Sequence, residues 1–254
     1  MFNKVIVKVP PESMINGISS NQDEKPIYSK ALKQHEEYVK ALGRCNVSMI
    51  SRLAKQEKYP DSCFVEDTAV VTEKCAVITN PGTKSRKGEI GEVESELKKY
   101  YNSIEYIKKP GTLDGGDVMR VDNHFYIGLS KRTNEEGAEQ LINILNKYGY
   151  SGSQIKVKNY LHLKTGISYL KNNNILATKD FVNHPAFKSF NLLEVPGNEE
   201  YAANSIWVNN KVIMPGGYPE TKKLVEDAGY EVLTVDVSEF RKLDGGVSCL
   251  SIRF

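Results

Sequence analysis

The sequence has little of the features that mark several special classes of protein. Its 254 residues include one tryptophan and four cysteines, and 34 basic residues nearly balance 32 acidic ones for a net charge of +2. The two signs of charge are mixed along the chain, so no basic stripe favours a nucleic-acid partner. No apolar run approaches the ~20 residues of a membrane span, and the N-terminal segment lacks the apolar core of a signal peptide. We therefore expect no membrane and no nucleic-acid partner.

The cysteines have neither the spacing of a metal site nor that of a disulfide framework. They lie at positions 45, 63, 75 and 249, without a nearby histidine pair. In a chain with no secretory signal, such cysteines are expected to be free thiols in a reducing cytoplasm. The sequence thus predicts a cytoplasmic protein with no metal or other cofactor, and it is compatible with a homodimer.

A repeated unit runs through the chain. The run LDGGD at 113–117 is nearly repeated as LDGGVSC at 243–249, and HLKTG at 162–166 occupies an equivalent place. Each of these loops follows a short apolar strand, a turn, a helical stretch and a second strand. Repeats arranged around an axis bring their matching corners together. The pattern predicts a central site that holds Asp114, His162 and Cys249.

The whole chain can be divided into five such units of roughly 50 residues each. Their first strands are predicted at 5–9, 76–79, 125–127, 175–177 and 211–214. No linker or low-complexity tract divides the chain, so residues 1–254 are predicted to form a single catalytic domain. Small sheets in a ring with helices outside make an α/β fold, a five-bladed α/β propeller with pseudo-five-fold ββαβ-type repeats, known as the pentein fold.

The acidic loop at 61–67 indicates a cationic substrate. Asp61, Glu66 and Asp67 lie at the corner that matches Asp114, next to an apolar pair at 64–65 that we interpret as a strand. Carboxylates that converge on one small site repel each other unless a cation is bound there. A guanidinium presents a planar fork of N–H donors that two carboxylates can clamp. Cys249 would then attack the guanidinium carbon.

Two arginines complete this candidate site. Arg86 and Arg132 occupy equivalent turns, each just before a predicted helix. An arginine binds a carboxylate through two parallel hydrogen bonds. A substrate with an α-carboxylate at one end and a guanidinium at the other, an arginine derivative, would satisfy both sets of charges.

Seven segments of the chain, in order and with suitable spacing, resemble dimethylarginine dimethylaminohydrolase. They are 61–68 (DSCFVEDT), 81–89 (PGTKSRKGE), 113–118 (LDGGDV), 126–134 (YIGLSKRTN), 161–165 (LHLKT), 201–204 (YAAN) and 244–249 (DGGVSC). The resemblance implies the five-bladed α/β propeller fold of the guanidine-modifying enzymes. It also implies hydrolysis of methylated arginine, without a metal, to citrulline and dimethylamine or methylamine.

The same resemblance implies a role for each candidate residue. Cys249 would be the nucleophile and His162 the acid and base, while Asp67 and Asp114 would hold the guanidinium. The family can have glutamate where this chain has Asp114. The substrate's carboxylate would be bound by Arg86 and Arg132, and its α-amino group by Asp61 and the Ile18 carbonyl. Glu66 is assigned to the substrate-binding set, and residues 17–22 match the family's lid.

Two other functions are compatible with a five-bladed propeller of this kind. An arginine deiminase would act on unmethylated arginine, but such enzymes have an added helical segment that this chain lacks. A non-catalytic propeller, such as a ribosome-binding initiation factor, would have no reason to carry Cys249, His162 and the carboxylates together. Asp117 is interpreted as a residue that caps the turn after the Gly-Gly pair.

Overall fold

The computed structural model describes residues 1–21 and 23–254 and arranges them as five three-stranded sheets. The strands are β1 Lys4–Lys8, β2 Met49–Leu53, β3 Ala69–Val71, β4 Ala76–Ile78, β5 Ile104–Tyr106, β6 Val118–Val121, β7 His124–Leu129, β8 Ser151–Lys156, β9 Ile167–Tyr169, β10 Asn174–Ala177, β11 Asn191–Glu194, β12 Ile206–Val208, β13 Lys211–Pro215, β14 Glu231–Val235 and β15 Ile252–Arg253. The helices are α1 Tyr28–Arg44, α2 Ile90–Leu97, α3 Glu135–Lys147, α4 Leu163–Gly166, α5 Lys179–Val182, α6 Pro219–Asp227 and α7 Ser238–Arg241.

All five sheets have the same topology, which confirms the predicted repeat. The sheets are β15-β1-β2, β3-β4-β5, β6-β7-β8, β9-β10-β11 and β12-β13-β14. In each, the middle strand is antiparallel to the first strand named and parallel to the third. A parallel pair needs a crossover connection, usually a helix, and α1, α2, α3, α5 and α6 supply it in the five blades.

The crossover helices form because their apolar residues recur at helical spacing. In α1 an apolar stripe that includes Ala31, Tyr38, Val39 and Leu42 is buried. The stripe packs in one apolar cluster with Val235 of β14. Neighbouring blades therefore share part of their apolar core.

The innermost strand of each blade was missed in the sequence. β3, β6, β9, β12 and β15 each follow a short helical turn, and those turns are Val65–Thr68, Gly115–Asp117, α4, Gly197–Ala203 and Ser248–Leu250. The prediction of a strand at 64–65 was wrong, because Val65 begins such a turn and the strand starts at Ala69. The turns that carry the candidate residues thus stand at equivalent ends of the five inner strands.

The two ends of the chain close the ring in one sheet. β1 pairs with β15 so that Val5 lies opposite Arg253 and Ile6 opposite Ile252. The Asn3 N–H also donates to the Phe254 carbonyl at 2.9 Å. In the part of the chain that the structure describes, no helix has the length and apolar character needed to cross a membrane.

Candidate active site

The turns at one end of the ring surround a narrow pocket. Seven predicted site residues line it: Ile18, Asp61, Asp67, Arg86, Arg132, His162 and Cys249. Other parts of its wall come from Phe64, Leu161 and the loop Leu243–Gly245. Asp114 and Glu66, the other two predicted residues, are placed outside this lining.

Cys249 lies in the turn that precedes β15, and its thiol is buried. Its Sγ accepts a hydrogen bond from the Gly246 N–H at 3.4 Å. A Cβ on Gly246 would lie 2.5 Å from the Asn204 side chain, so only glycine lets the loop come this close. Burial raises the pKa of the Cys249 thiol to about 12, and the charges of Glu66 and Asp67 add to the effect. The thiol is therefore protonated in the empty pocket at neutral pH.

His162 caps the start of α4 and faces carboxylates. Its Nε2 lies 3.0 Å from Asp114 Oδ2 and 4.0 Å from Asp67 Oδ1. Burial alone would lower the pKa of this imidazole, but Asp67, Asp114 and Asp117 together outweigh burial and raise it to about 9. His162 is thus an imidazolium at neutral pH, and it can donate a proton.

Asp114 supports the histidine from behind. Its Oδ2 accepts from His162 Nε2, while its Oδ1 accepts from the Gly82 N–H at 2.8 Å. The side chain is fully buried. Both oxygens thus have partners within the protein, and Asp114 contacts the His162 imidazole directly.

Arg86 lines the pocket, but its guanidinium is bound by other groups of the protein. Its guanidinium is buried and forms ion pairs with Asp67 at 2.5 Å and with Glu89 at 2.8 Å. Its Nη2 also donates to the Phe64 carbonyl at 3.1 Å. Glu89 was missed in the sequence, although a carboxylate three residues after an arginine is a common helical ion-pair spacing. The N–H groups of Arg86 that bind these partners are therefore not available to a substrate.

Asp67 remains ionised despite its burial. Burial raises the pKa of its carboxyl group, but His162 and Arg86 reverse this effect and leave the pKa below its usual value. Its Oδ1 also accepts from the Gly116 N–H at 2.9 Å. A Cβ on Gly116 would lie 2.8 Å from both Asp67 Oδ1 and His162 Nδ1, which explains the glycine. Asp67 presents a fixed negative charge to the pocket.

Arg132 differs from Arg86 in the hydrogen bonding of its guanidinium. Its Nη1 is buried without a hydrogen-bond partner among the described residues, and it lies 3.7 Å from Asp114 Oδ2. A buried donor with no partner costs free energy that a ligand can recover. This guanidinium is therefore placed to bind an anionic group of a substrate through its N–H donors.

The segment 17–21 folds over the pocket. The Ile18 N–H donates to Asp61 Oδ1 at 2.9 Å, and Ser20 donates through N–H and hydroxyl to Asp244 at 2.6 Å. Ser19 Oγ donates to the Lys242 carbonyl. These bonds join the predicted lid to the loop that precedes Cys249. Gln22, the last residue of that predicted lid, lies outside the described residues.

Glu66 points away from this pocket. Its Oε1 pairs with Lys164 at 2.5 Å and with Arg253 at 3.1 Å, and its Oε2 accepts from Ser248 Oγ at 2.8 Å. It lines a second cavity of about 170 Å³ whose wall contains residues of all five inner strands. Glu66 thus does not line the pocket that contains Cys249, but its charge acts on the Cys249 thiol from behind.

One group of side chains has the composition of a metal site. Ligand atoms of Asp67, Asp114 and His162 lie within 4.8 Å of one another. In this arrangement, however, His162 Nε2 is directed at Asp114, and Asp67 is paired with Arg86. The donor atoms are engaged with protein partners, so the geometry favours proton transfer over metal binding.

The protonation of Cys249 can be tested directly. We expect little thiolate absorbance at pH 7 in the empty enzyme, and an increase when a non-reactive guanidinium ligand adds positive charge beside the sulfur. The measurement is ultraviolet absorbance against pH with and without the ligand, with Cys249→Ser as the blank. A thiolate already fully formed at pH 6 without ligand would contradict this expectation and favour a preformed thiolate–imidazolium pair.

Fold and site together define a class of protein. Five sheets around an axis, with a cysteine, a histidine and carboxylates on the turns at one end, are the arrangement of the guanidine-modifying α/β propellers. The N-terminal domain of the cyanobacterial arginine dihydrolase ArgZ has the same fold, with a TM-score of 0.88 at 16% identity over 98% of this chain and 97% of that one.

Comparisons within this class place the chain in one family. The family model described as "N,N dimethylarginine dimethylhydrolase, eukaryotic" matches residues 10–188. The N(G),N(G)-dimethylarginine dimethylaminohydrolase of Pseudomonas aeruginosa is 50% identical, with 100% of both chains covered. That of Streptomyces coelicolor is 34% identical over 98% of this chain and 96% of its own. A solved structure of the Pseudomonas enzyme, a cysteine-to-serine mutant complexed with citrulline, has a TM-score of 0.98 over the whole of both chains. The chain belongs to the dimethylarginine dimethylaminohydrolase family.

Proposed function

We propose that this protein hydrolyses arginine methylated on its terminal nitrogens, releasing citrulline and dimethylamine or methylamine. The observation that carries the proposal is a pocket that combines the neutral thiol of Cys249, the imidazolium of His162 and the ionised carboxylate of Asp67. A cationic substrate stabilises the Cys249 thiolate in this pocket, and the amine leaving group needs the proton that His162 carries. The full-length similarity to the Pseudomonas enzyme supports the same activity.

The first half of the reaction forms a covalent intermediate. The guanidinium enters beside Asp67, and its positive charge allows the Cys249 thiol to lose its proton to solvent. The sulfur adds to the central guanidinium carbon and forms a C–S bond. His162 gives its proton to the methylated nitrogen, the C–N bond breaks, and the amine departs. A thiouronium remains on Cys249, and His162 is left neutral.

The second half uses the neutral imidazole as a base. His162 takes a proton from a water molecule as the oxygen attacks the thiouronium carbon. The C–S bond then breaks with its electron pair on sulfur, the hydroxyl proton of the adduct passes to that sulfur to restore the thiol, and citrulline leaves. Asp114 keeps Nε2 engaged at 3.0 Å, so the imidazole ring holds one orientation through both halves. His162 ends as the imidazolium with which it began.

The other end of the substrate is proposed to meet Arg132 and the lid. Arg132 supplies the unpartnered Nη1 for the α-carboxylate, and Arg86 contributes positive charge at the pocket wall. Asp61, together with the Ile18 carbonyl, would receive the α-amino group. Asp61 and Ile18 already contact each other through the lid's N–H, which supports their acting together. The cytoplasmic location and a homodimer remain predictions.

Substrate choice separates this activity from that of an arginine deiminase. Asymmetric dimethylarginine and monomethylarginine should both release citrulline, whereas symmetric dimethylarginine should be poor. Symmetric methylation puts a methyl on each terminal nitrogen and so removes N–H donors that Asp67 needs. The measurement is citrulline release from each compound and from arginine at equal concentration. Fast turnover of arginine with none of the methylated forms would favour the deiminase.

A further inference from the structure

Asp117 does more than cap a turn. Its carboxylate is fully buried and accepts three hydrogen bonds from two other segments of the chain. Oδ1 accepts from the Leu163 N–H at 2.9 Å, and Oδ2 accepts from the hydroxyls of Ser130 and Thr133, both at 2.7 Å. A turn cap would bond to its own backbone, whereas this carboxylate joins three separate loops.

Each of those loops carries a residue of the proposed site. Leu163 directly follows His162, so the bond from its N–H fixes the backbone that supports the imidazole. Arg132 stands between Ser130 and Thr133, and its own N–H donates to Ser130 Oγ at 3.0 Å. One buried carboxylate is therefore connected both to the proton donor and to the arginine with the unpartnered guanidinium nitrogen.

A further link returns to the support of the histidine. Thr133 Oγ1, which donates to Asp117, accepts from the Asp114 N–H at 3.1 Å. Asp114 is the residue whose Oδ2 contacts His162 Nε2. The hydroxyl thus links the Asp117 carboxylate to the Asp114 backbone, so the two ends of the Asp114–Asp117 turn are joined through one side chain.

We propose that Asp117 is a positioning residue that fixes His162 and Arg132 relative to each other and keeps the His162 imidazole protonated. The inference rests on the proposed function for the meaning of the two residues, although the contacts are independent of it. It assigns the second aspartate of the LDGGD run a task different from that of the first. Asp114 contacts the imidazole, and Asp117 acts through the backbone and through its charge.

The ionisable groups that face or flank the His162 imidazole are Asp67, Asp114, Asp117, Arg86, Arg132 and Cys249. The anions Asp67, Asp114 and Asp117 all favour the imidazolium. Burial raises the pKa of Asp117 to about 6, so at neutral pH and above it is mainly a carboxylate. Its removal would leave the imidazolium with two anions instead of three.

Asp117→Asn is the informative change because it separates charge from contact. The amide oxygen can still accept from Leu163, while the NH₂ group faces the hydroxyls of Ser130 and Thr133, which can turn to accept. We expect the midpoint of the His162 titration to fall by about one pH unit, a tenfold change in the ratio of the two protonation states at a given pH. The alkaline limb of kcat should move in the same direction.

The titration is followed by NMR of the imidazole carbons, which needs no turnover. The chain has four histidines, so the His162 signal is assigned by its loss in His162→Asn. Asp122→Asn is the matched control, because it removes the same charge from an exposed turn where the side chain pairs with Lys171. That variant should leave the midpoint and KM unchanged.

Two variants of Thr133 test the connection between Asp117 and Arg132. Thr133→Val removes the hydroxyl without altering charge, so KM for the methylated substrate should rise about fivefold, the effect of one lost hydrogen bond, with no shift of the His162 midpoint. Thr133→Ser keeps the hydroxyl and should restore KM. The same pair tests the connection between Asp117 and the Arg132 segment should Asp117→Asn fail to fold.

The outcomes of these measurements are distinct. An unchanged midpoint in Asp117→Asn, or an unchanged KM in Thr133→Val, would overturn the inference. Absence of citrulline release by the unmodified protein would instead contradict the proposed function, while the NMR titration would still decide whether Asp117 sets the protonation of His162.

Discussion

Replacing Cys249 with serine should reduce citrulline release by at least about a thousandfold while leaving ligand binding intact. A serine hydroxyl is a far weaker nucleophile than a thiolate near neutral pH, yet it is close enough in size to keep the pocket. The measurements are citrulline release and, by calorimetry, citrulline binding.

Cys63→Ser is the matched control for this prediction. Cys63 is buried near the acidic loop, and burial, with Asp61 and Glu89 adding to it, holds the pKa of its thiol far above the usual range. It is therefore an inert thiol, and its replacement should leave turnover close to that of the unmodified protein. If Cys63→Ser abolished turnover and Cys249→Ser did not, the assignment of the nucleophile would be wrong.

Replacing His162 with asparagine should lower kcat by about 10²- to 10⁴-fold for substrates that release an amine. The loss should be much smaller in the first half-reaction for an analogue that releases a thiol, because a thiol is a good leaving group without prior protonation. Formation of the covalent adduct, followed by mass spectrometry, distinguishes the two kinds of substrate.

The control for this change is His124→Asn. His124 lies on a middle strand, and its ring nitrogens contact Ser151 and Ser153. Its replacement should leave both substrates unaffected. An equal loss of adduct formation with amine and thiol leaving groups in His162→Asn would argue that the imidazole orients the substrate rather than donates a proton.

The repeat could be recognised from the sequence because the middle strands of the blades are largely apolar and a helical stretch follows each of them. The inner strands could not, since β15 has two residues and β3, β9 and β12 have three. A segment of two or three residues is too short to show the alternation by which a strand is recognised. Val118 and Ile167, which are β-branched and directly follow their turns, were the available signal in β6 and β9.

The site shows a similar division between what spacing can tell and what it cannot. The motifs brought the right loops together, and seven of the nine predicted residues line the pocket. Glu66 and Asp67 are neighbours in a 3₁₀ turn, where successive side chains diverge by about 120°, so one faces the pocket and the other the opposite cavity. Sequence order alone gave no means to tell which was which.

The engagement of Arg86 and Asp114 likewise depends on three-dimensional partners. Whether a guanidinium is free or saturated depends on Glu89 and Asp67, whose directions are decided only when the turn packs. Asp114 has the same dependence on His162 and Gly82. A motif specifies which residues arrive at a site, and packing decides which of their atoms remain available.

The pairing of β1 with β15 ties chemistry to the order of synthesis. Cys249 directly precedes β15, the strand that completes the sheet begun by β1. As the ribosome extends the chain from its N-terminus, the first blade must wait for the last segment, and the thiol arrives with that segment. A nascent chain short of β15 has neither a closed ring nor a nucleophile in place. The strand that closes the ring is thus also the strand that fixes the turn carrying the sulfur.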